Sequence, residues 1–333
     1  MRPISIAATS IITLVSACKP NVGPPISEIK GPAILAVKGA PAEVDPKAAD
    51  TTVAFEALAV DLDGRVPNAD ITDPLLWSMC DQPKPPTENN SVSARCLDPT
   101  AFPGVVGTSA TTYSAAIGSD ACSVFGPFPP QTPPDQPAIR ARDPDVSGGY
   151  YQPVRVELLI PEGLRRVGLS TPDSLVSFEL QRIFCGLSNA RSDQIRIYNR
   201  DYHLNNNPVL TSLTVDSADV PASSTAGAPM EVGVGQTVAL AANWSADSVE
   251  YYPALDLVQR ELVYHYEAMR VSWYATGGSF EHDITGRGED EKDTTFAGNT
   301  WTADSSGPVH MWIVLHDSRG GTDFASYDFN VTP

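Results

Sequence analysis

His310 and His316 are the residues whose type and spacing come nearest to a metal-binding pair in this chain. Imidazoles six positions apart on one strand share a face, and Glu281-His282-Asp283 offers further ligands. At about 3.3 Å per residue the two rings lie roughly 20 Å apart, too far to share an ion. Asp61 and Asp63 in DLDG and Asp317 in HDSRGG place carboxylates in turns. Calcium takes about six to eight oxygens, and DLDG lacks the rest of an EF-hand loop. Turn geometry accounts for these aspartates, because Asp tolerates the tight backbone and Gly64 supplies a positive φ. The acidic stretch RGEDEKD (287–293) reads as a solvated loop. GxSxG, HExxH and phosphate-cradling glycine motifs do not occur. The expectation is a non-catalytic chain with no cofactor and no metal.

Cysteine is the other reactive type. Cys80, Cys96, Cys122 and Cys185 have no CxxC spacing, which argues against zinc. Four cysteines in an exported chain form two disulfides by default, with three pairings open. Cys80 with Cys96 is favoured because the pair flanks one polar loop, and Cys122 with Cys185 because it pins a long insertion to a strand. Cys18 stands apart. It follows Arg2, a short apolar run from Ile4 to Val15, and the small residues Ser16 and Ala17, the pattern of a cleaved secretory signal over 1–17. The apolar run falls short of the roughly 20 residues that a permanent span requires. Val15-Ser16-Ala17-Cys18 resembles the lipobox of bacterial lipoproteins, in which cleavage precedes a cysteine that receives a diacylglycerol. That resemblance implies a lipid attached to Cys18 and a membrane as partner, each buried methylene contributing about 0.8 kcal/mol. Pro/Gly-rich residues 18–31 then read as a tether. By resemblance to enteric sorting, Lys19 after the cysteine favours the outer membrane.

The elements that must carry these residues are strands. Net charge is −18, with 22 basic against 40 acidic residues and no basic cluster, so nucleic acid is not an expected partner. Thirty prolines and 24 glycines make long helices scarce. Period-two patterns predict strands at 33–38, 52–60, 75–80, 154–160, 175–184 and 194–198, then at 209–216, 237–243, 270–275, 309–316 and 322–331. The run NRDYHLNNNPV (199–209) reads as a joint, after which the order of features recurs. VAFEALAV is matched by VALAANW, and LLWSMC by RVSWYA. The expected fold is all-β, two tandem immunoglobulin-like β-sandwiches over 32–204 and 205–333, with Trp77 and Trp273 as central core residues. The first carries a disulfide-stapled insertion at 81–149, whose GPFPPQTPPDQP (126–137) cannot be a central strand.

VSWYATGGSF (271–280), NTWTADSSGPVHMWIVLHDSRGG (299–321) and DFASYDFNV (323–331) resemble PKD-like and related immunoglobulin-like modules of bacterial surface proteins. The departure is the insertion 250–269, a hairpin or a short helix. In the 309–316 strand Val309, Met311, Ile313 and Leu315 form an inward set. His310, Trp312, Val314 and His316 take the other face, where Trp312 is a candidate ligand contact unless the 250–269 insertion covers it. The expected role is a membrane-anchored envelope lipoprotein serving structure, adhesion or binding. The alternatives are a carbohydrate-binding module using Trp312 with Tyr251, Tyr252 and Tyr274 on one face, or a hydrolase built on the 81–149 insertion. A glycan or a surface protein is the partner in view.

Overall fold

Alternation puts one set of side chains on each face of a strand, and the described chain is built almost wholly from such strands. The computed structural model describes residues 25–333, except 69–74, 87, 90, 98–105, 108–110, 137, 141, 143–145, 163–172 and 224–227. The signal segment and Cys18 lie outside the described residues.

The first half contains β1 (Ala33–Ala40), β2 (Glu43–Val44), β3 (Thr52–Asp61), β4 (Gly64–Arg65), β5 (Leu76–Met79), β6 (Val106–Gly107), β7 (Thr112–Ala116), β8 (Gly149–Leu159) and β9 (Ser174–Phe184). One sheet runs β1-β3-β4 with β7 also on β3, and the other runs β2-β9-β8-β5-β6. Val53, Phe55, Ala57 and Ala59 face Trp77, Val154, Val156 and Leu158 between them. Trp77 is fully buried and stacks on Tyr113 with ring centroids 5.8 Å apart.

The second half contains β10 (Leu210–Val215), β11 (Ala218–Val220), β12 (Met230–Gly233), β13 (Thr237–Trp244), β14 (Tyr251–Asp256), β15 (Glu261–Tyr266), β16 (Met269–Ala275), β17 (Ser279–Phe280), β18 (Ile284–Arg287), β19 (Phe296–Thr302), β20 (Gly307–His316) and β21 (Thr322–Thr332). Sheets β11-β10-β13-β19-β17 and β12-β21-β20-β16-β18 enclose Trp273 and Trp301, both fully buried. Each indole keeps a partner: Trp273 Nε1 donates to Thr285 Oγ1 at 2.8 Å and Trp301 Nε1 to the Gly277 carbonyl at 3.1 Å. The expected class, all-β with two tandem immunoglobulin-like sandwiches, is the observed one. The insertion at 250–269 is the hairpin β14–β15, its turn held by Asp256, which accepts from the amides of Val258 and Gln259.

Both favoured disulfides are present, Cys80–Cys96 with Cα atoms 5.7 Å apart and Cys122–Cys185 with Cα atoms 5.5 Å apart. They close separations of 16 and 63 residues, which by chain entropy contribute about 3 and 4 kcal/mol. One expected strand is wrong. Residues 194–198 belong to a helix, α2 (Ser192–Asp201), following the short α1 (Ala121–Val124). Ile195 and Ile197 alternate like a strand, but Gln194 and Tyr198 sit four apart and are the buried pair. Tyr198 stacks with Phe184 and Tyr202, at 6.2 and 4.7 Å, so the spacing of four that packs these rings overrides the local alternation.

Candidate functional site

The feature that sets this molecule apart is the seam between its sandwiches. Ala57–Val60 in β3 and Met311–Leu315 in β20 are buried at every position, so both faces of each strand are covered. Trp312 and Val314, on the outer face of β20, pack with Leu58 and Val60 of β3, Ala36 of β1 and Ile29. Trp312 is therefore 1 % exposed, and the ligand contact expected there is corrected: the first sandwich covers this face, not the 250–269 hairpin. The aromatic face expected around it also dissolves. Tyr274 packs in the same apolar seam, Tyr252 lies under a guanidinium, and Tyr251 stacks within the hairpin on Tyr264 and Tyr266. The end of the expected tether is ordered as well. The Ile29 amide donates to the Ala275 carbonyl and the Ala275 amide to the Ser27 carbonyl, both at 2.9 Å, so the chain pairs with β16 before it enters β1.

Polar groups complete the seam. The asparagine run read as a joint is bonded to both sides of the seam. Asn205 donates its amide to Glu43 at 2.9 Å and its side chain to Asp317 at 3.0 Å. Asn207 donates its side chain to the Gly39 carbonyl at 2.7 Å and accepts from the Thr322 amide at 2.9 Å. Two buried arginines anchor the rest. Arg182 pairs with Glu43 at 3.0 Å and donates to Tyr202, whose hydroxyl donates to Glu43 at 2.7 Å. Arg319 pairs with Glu267 and with Glu250, the latter at 2.5 Å, and its guanidinium lies 4.4 Å over the Tyr252 ring and 5.5 Å from that of Tyr202. Burial opposes both arginine charges, but the adjacent Glu43 and Glu267 hold both groups above the ordinary arginine range. Burial, reinforced by Glu267, pushes Asp317 up to about 7 against its bonds from Asn205 and the Gly321 amide.

The aspartates singled out from the sequence act in turns. Asp61 accepts from the Asp63 amide at 2.9 Å and from Asn68 at 2.7 Å, and Gly64 has φ 112°. Asp317 accepts from the amides of Arg319 and Gly321. Among the described residues, no three His, Cys, Asp or Glu side chains are grouped to hold a metal. His310 bonds Asp328 at 2.7 Å, and His316 bonds Thr322 at 3.0 Å.

Beside the asparagine run the seam opens into a cavity of about 590 Å³, walled by Tyr151, Phe178, Glu179 and Leu180 from one sandwich and by Arg270 and His316 from the other. Burial pushes the Glu179 carboxyl up to about 8. Burial, with Arg270 adding to it, pushes His316 down to about 4. Near neutral pH the imidazole is uncharged and the Glu179 carboxyl mostly so, while Asp317, which also lines the space, is about half ionised, and Arg270 is the cation among them. None of this was identified from the sequence. The available signal was a charge inside an apolar strand, Arg182 in SFELQRIF, and consecutive apolar runs that one buried face cannot explain.

No family model and no curated protein matches the chain. Among solved structures it is similar to the fibronectin(III)-like modules of Clostridium thermocellum CbhA, at 9% identity over 90% of this chain and 94% of that one, with a TM-score of 0.22. Domains 4 and 5 of the S-layer protein SbsC match at 11% identity, 90% and 99% coverage and a TM-score of 0.19. Latent PorU from Porphyromonas gingivalis matches at 10% identity, with 92% of this chain covering 24% of that one at a TM-score of 0.19.

Proposed function

We propose that this chain is a non-catalytic lipoprotein of the bacterial cell envelope, lipidated at Cys18 and carried on the outer membrane, with a structural or binding role. Its body comprises sandwiches over 32–204 and 205–333, the second a PKD-like module. The observation that carries this reading is the pairing of Ser27–Ile29 with Ala275. From Cys18 to Pro25 the chain reaches at most roughly 25 Å, because an extended residue spans about 3.5 Å. A lipid on Cys18 would thus hold both sandwiches close to the bilayer. The face-to-face seam supports a stiff block rather than an end-to-end stalk: separating the halves would expose Trp312 and break the Lys38–Asp323 ion pair and the bond from Asn207 to the Gly39 carbonyl. The test is replacement of Cys18 by Ala, followed by membrane fractionation and by mass spectrometry of the wild-type N-terminus. Loss of membrane retention and a diacylated cysteine are expected. Unchanged retention, or an unmodified thiol, refutes the anchor.

A further inference from the structure

The seam cavity does not end at Leu180. A second cavity of about 290 Å³, under the Cys80–Cys96 loop, is lined by Gln82, Lys84, Ser93 and Phe125, and Tyr151 and Leu180 wall both spaces. The two form one trough with a shared ridge, open at the surface, since Leu180 is 37 % exposed. Its ends are marked by charge. Lys84 lines one cavity and Arg270 the other, and neither forms an ion pair with any described residue. Lys38, Arg65, Arg155, Arg182 and Arg319 are each held by a carboxylate, whereas Lys84 and Arg270 are exposed side chains on the lining of the two spaces. Unpaired cations at both ends of a trough attract an elongated anion.

We propose that this trough binds an acidic oligosaccharide, with sugar rings lying along Tyr151 and Leu180 and carboxylates reaching Arg270 and Lys84. The lining fits that chemistry. Tyr151, Phe178 and Phe125 line the two spaces with aromatic surface of the kind that suits the C–H face of a pyranose, and the side chains of Ser91 and Gln82 stand beside them. Glu179, on the same wall, is mostly protonated at neutral pH and so opposes an anion little, and Asp317, buried in the same lining, is occupied by bonds from Asn205 and the Arg319 and Gly321 amides. Two linked spaces call for a ligand of repeating units, and a small anion would fill only one. The inference deepens the reading of the chain as a binding body and is independent of the lipid on Cys18.

The test is calorimetric titration of the full chain with hexagalacturonate, with maltohexaose as the neutral glycan and poly-glutamate as the acidic peptide. Hexagalacturonate is expected to bind. Arg270→Gln and Lys84→Gln, both at exposed unpaired sites, should each weaken it about two- to fivefold, and together by roughly the product. Leu180→Glu, which places a carboxylate on the ridge, should abolish binding while the melting temperature confirms folding. No binding of hexagalacturonate, equal binding of maltohexaose, or affinity unmoved by all three substitutions overturns the proposal. Poly-glutamate binding as tightly also overturns it, in favour of a protein partner. None of these outcomes bears on membrane retention, so the anchor and the trough fail separately.

Discussion

Replacing Arg319 by Met tests how much the buried charge cluster that the second sandwich carries at the seam contributes to stability. Arg319 is 2 % exposed and Glu267 fully buried, and the substitution keeps most of the side-chain volume while removing the cation that both Glu267 and Glu250 face. Removing one partner of a buried pair costs about 3–5 kcal/mol, because the remaining carboxylate is left uncompensated. The guanidinium's place over Tyr252 adds to that loss. At about 2–4 °C per kcal/mol for bodies of this size, the melting temperature should fall by roughly 6–20 °C. The assay is urea and thermal unfolding of the wild type, Arg319→Met, Glu267→Gln and the double variant. If the cost is the stranded charge, Glu267→Gln restores about half or more of the loss when added to Arg319→Met. A drop below about 1 kcal/mol for Arg319→Met, or a double variant whose loss is the sum of the singles, would refute the reasoning.

Two further outcomes follow from the same seam. Trp312→Ala should cost about 3–5 kcal/mol and increase the radius of gyration in solution scattering, because the indole fills the space between the sandwiches; an unchanged radius with full stability would mean the apolar contact is dispensable. Stability should also decline from pH 6.5 to 8. Glu179 and Asp317 have folded values, about 8 and about 7, above their ordinary 4.5 and 3.8, so the folded state holds protons that the unfolded state has lost, and that advantage disappears as pH rises through 7 and 8. His316, about 4 against 6.5, works in the opposite sense, adding stability as pH rises from 4 to 6.5 and nothing above that. Melting curves across pH 6.5–8 for the wild type and Glu179→Gln check this: the variant should show the shallower slope, and a rise with pH in the wild type would contradict the buried-carboxyl account.

Most of the architecture was legible because strand burial writes itself into the chain at period two. VAFEALAV, RVSWYA and DFASYDFNV each lie on a strand, and the four cysteines pair as their flanking segments implied. The helix at Ser192–Asp201 was missed because its β-branched residues alternate, and only the stacking of Tyr198 with Phe184 and Tyr202 selects the spacing of four. The candidate site was almost wholly hidden. Trp312 could be placed on the outer face of its strand, but what covers that face comes from residues more than 250 positions earlier.

Local pattern, then, determined which segments are strands, which faces of them are apolar, and where turns and disulfides close. The tertiary structure alone decided how the two halves meet. Whether an asparagine run is a free joint or is bonded to both sides of a seam, and whether a charged side chain is solvated or locked in a buried pair, depends on the partner that distant chain brings to it. The cavity at the seam, too, exists only because two sandwiches with separate cores come to rest side by side.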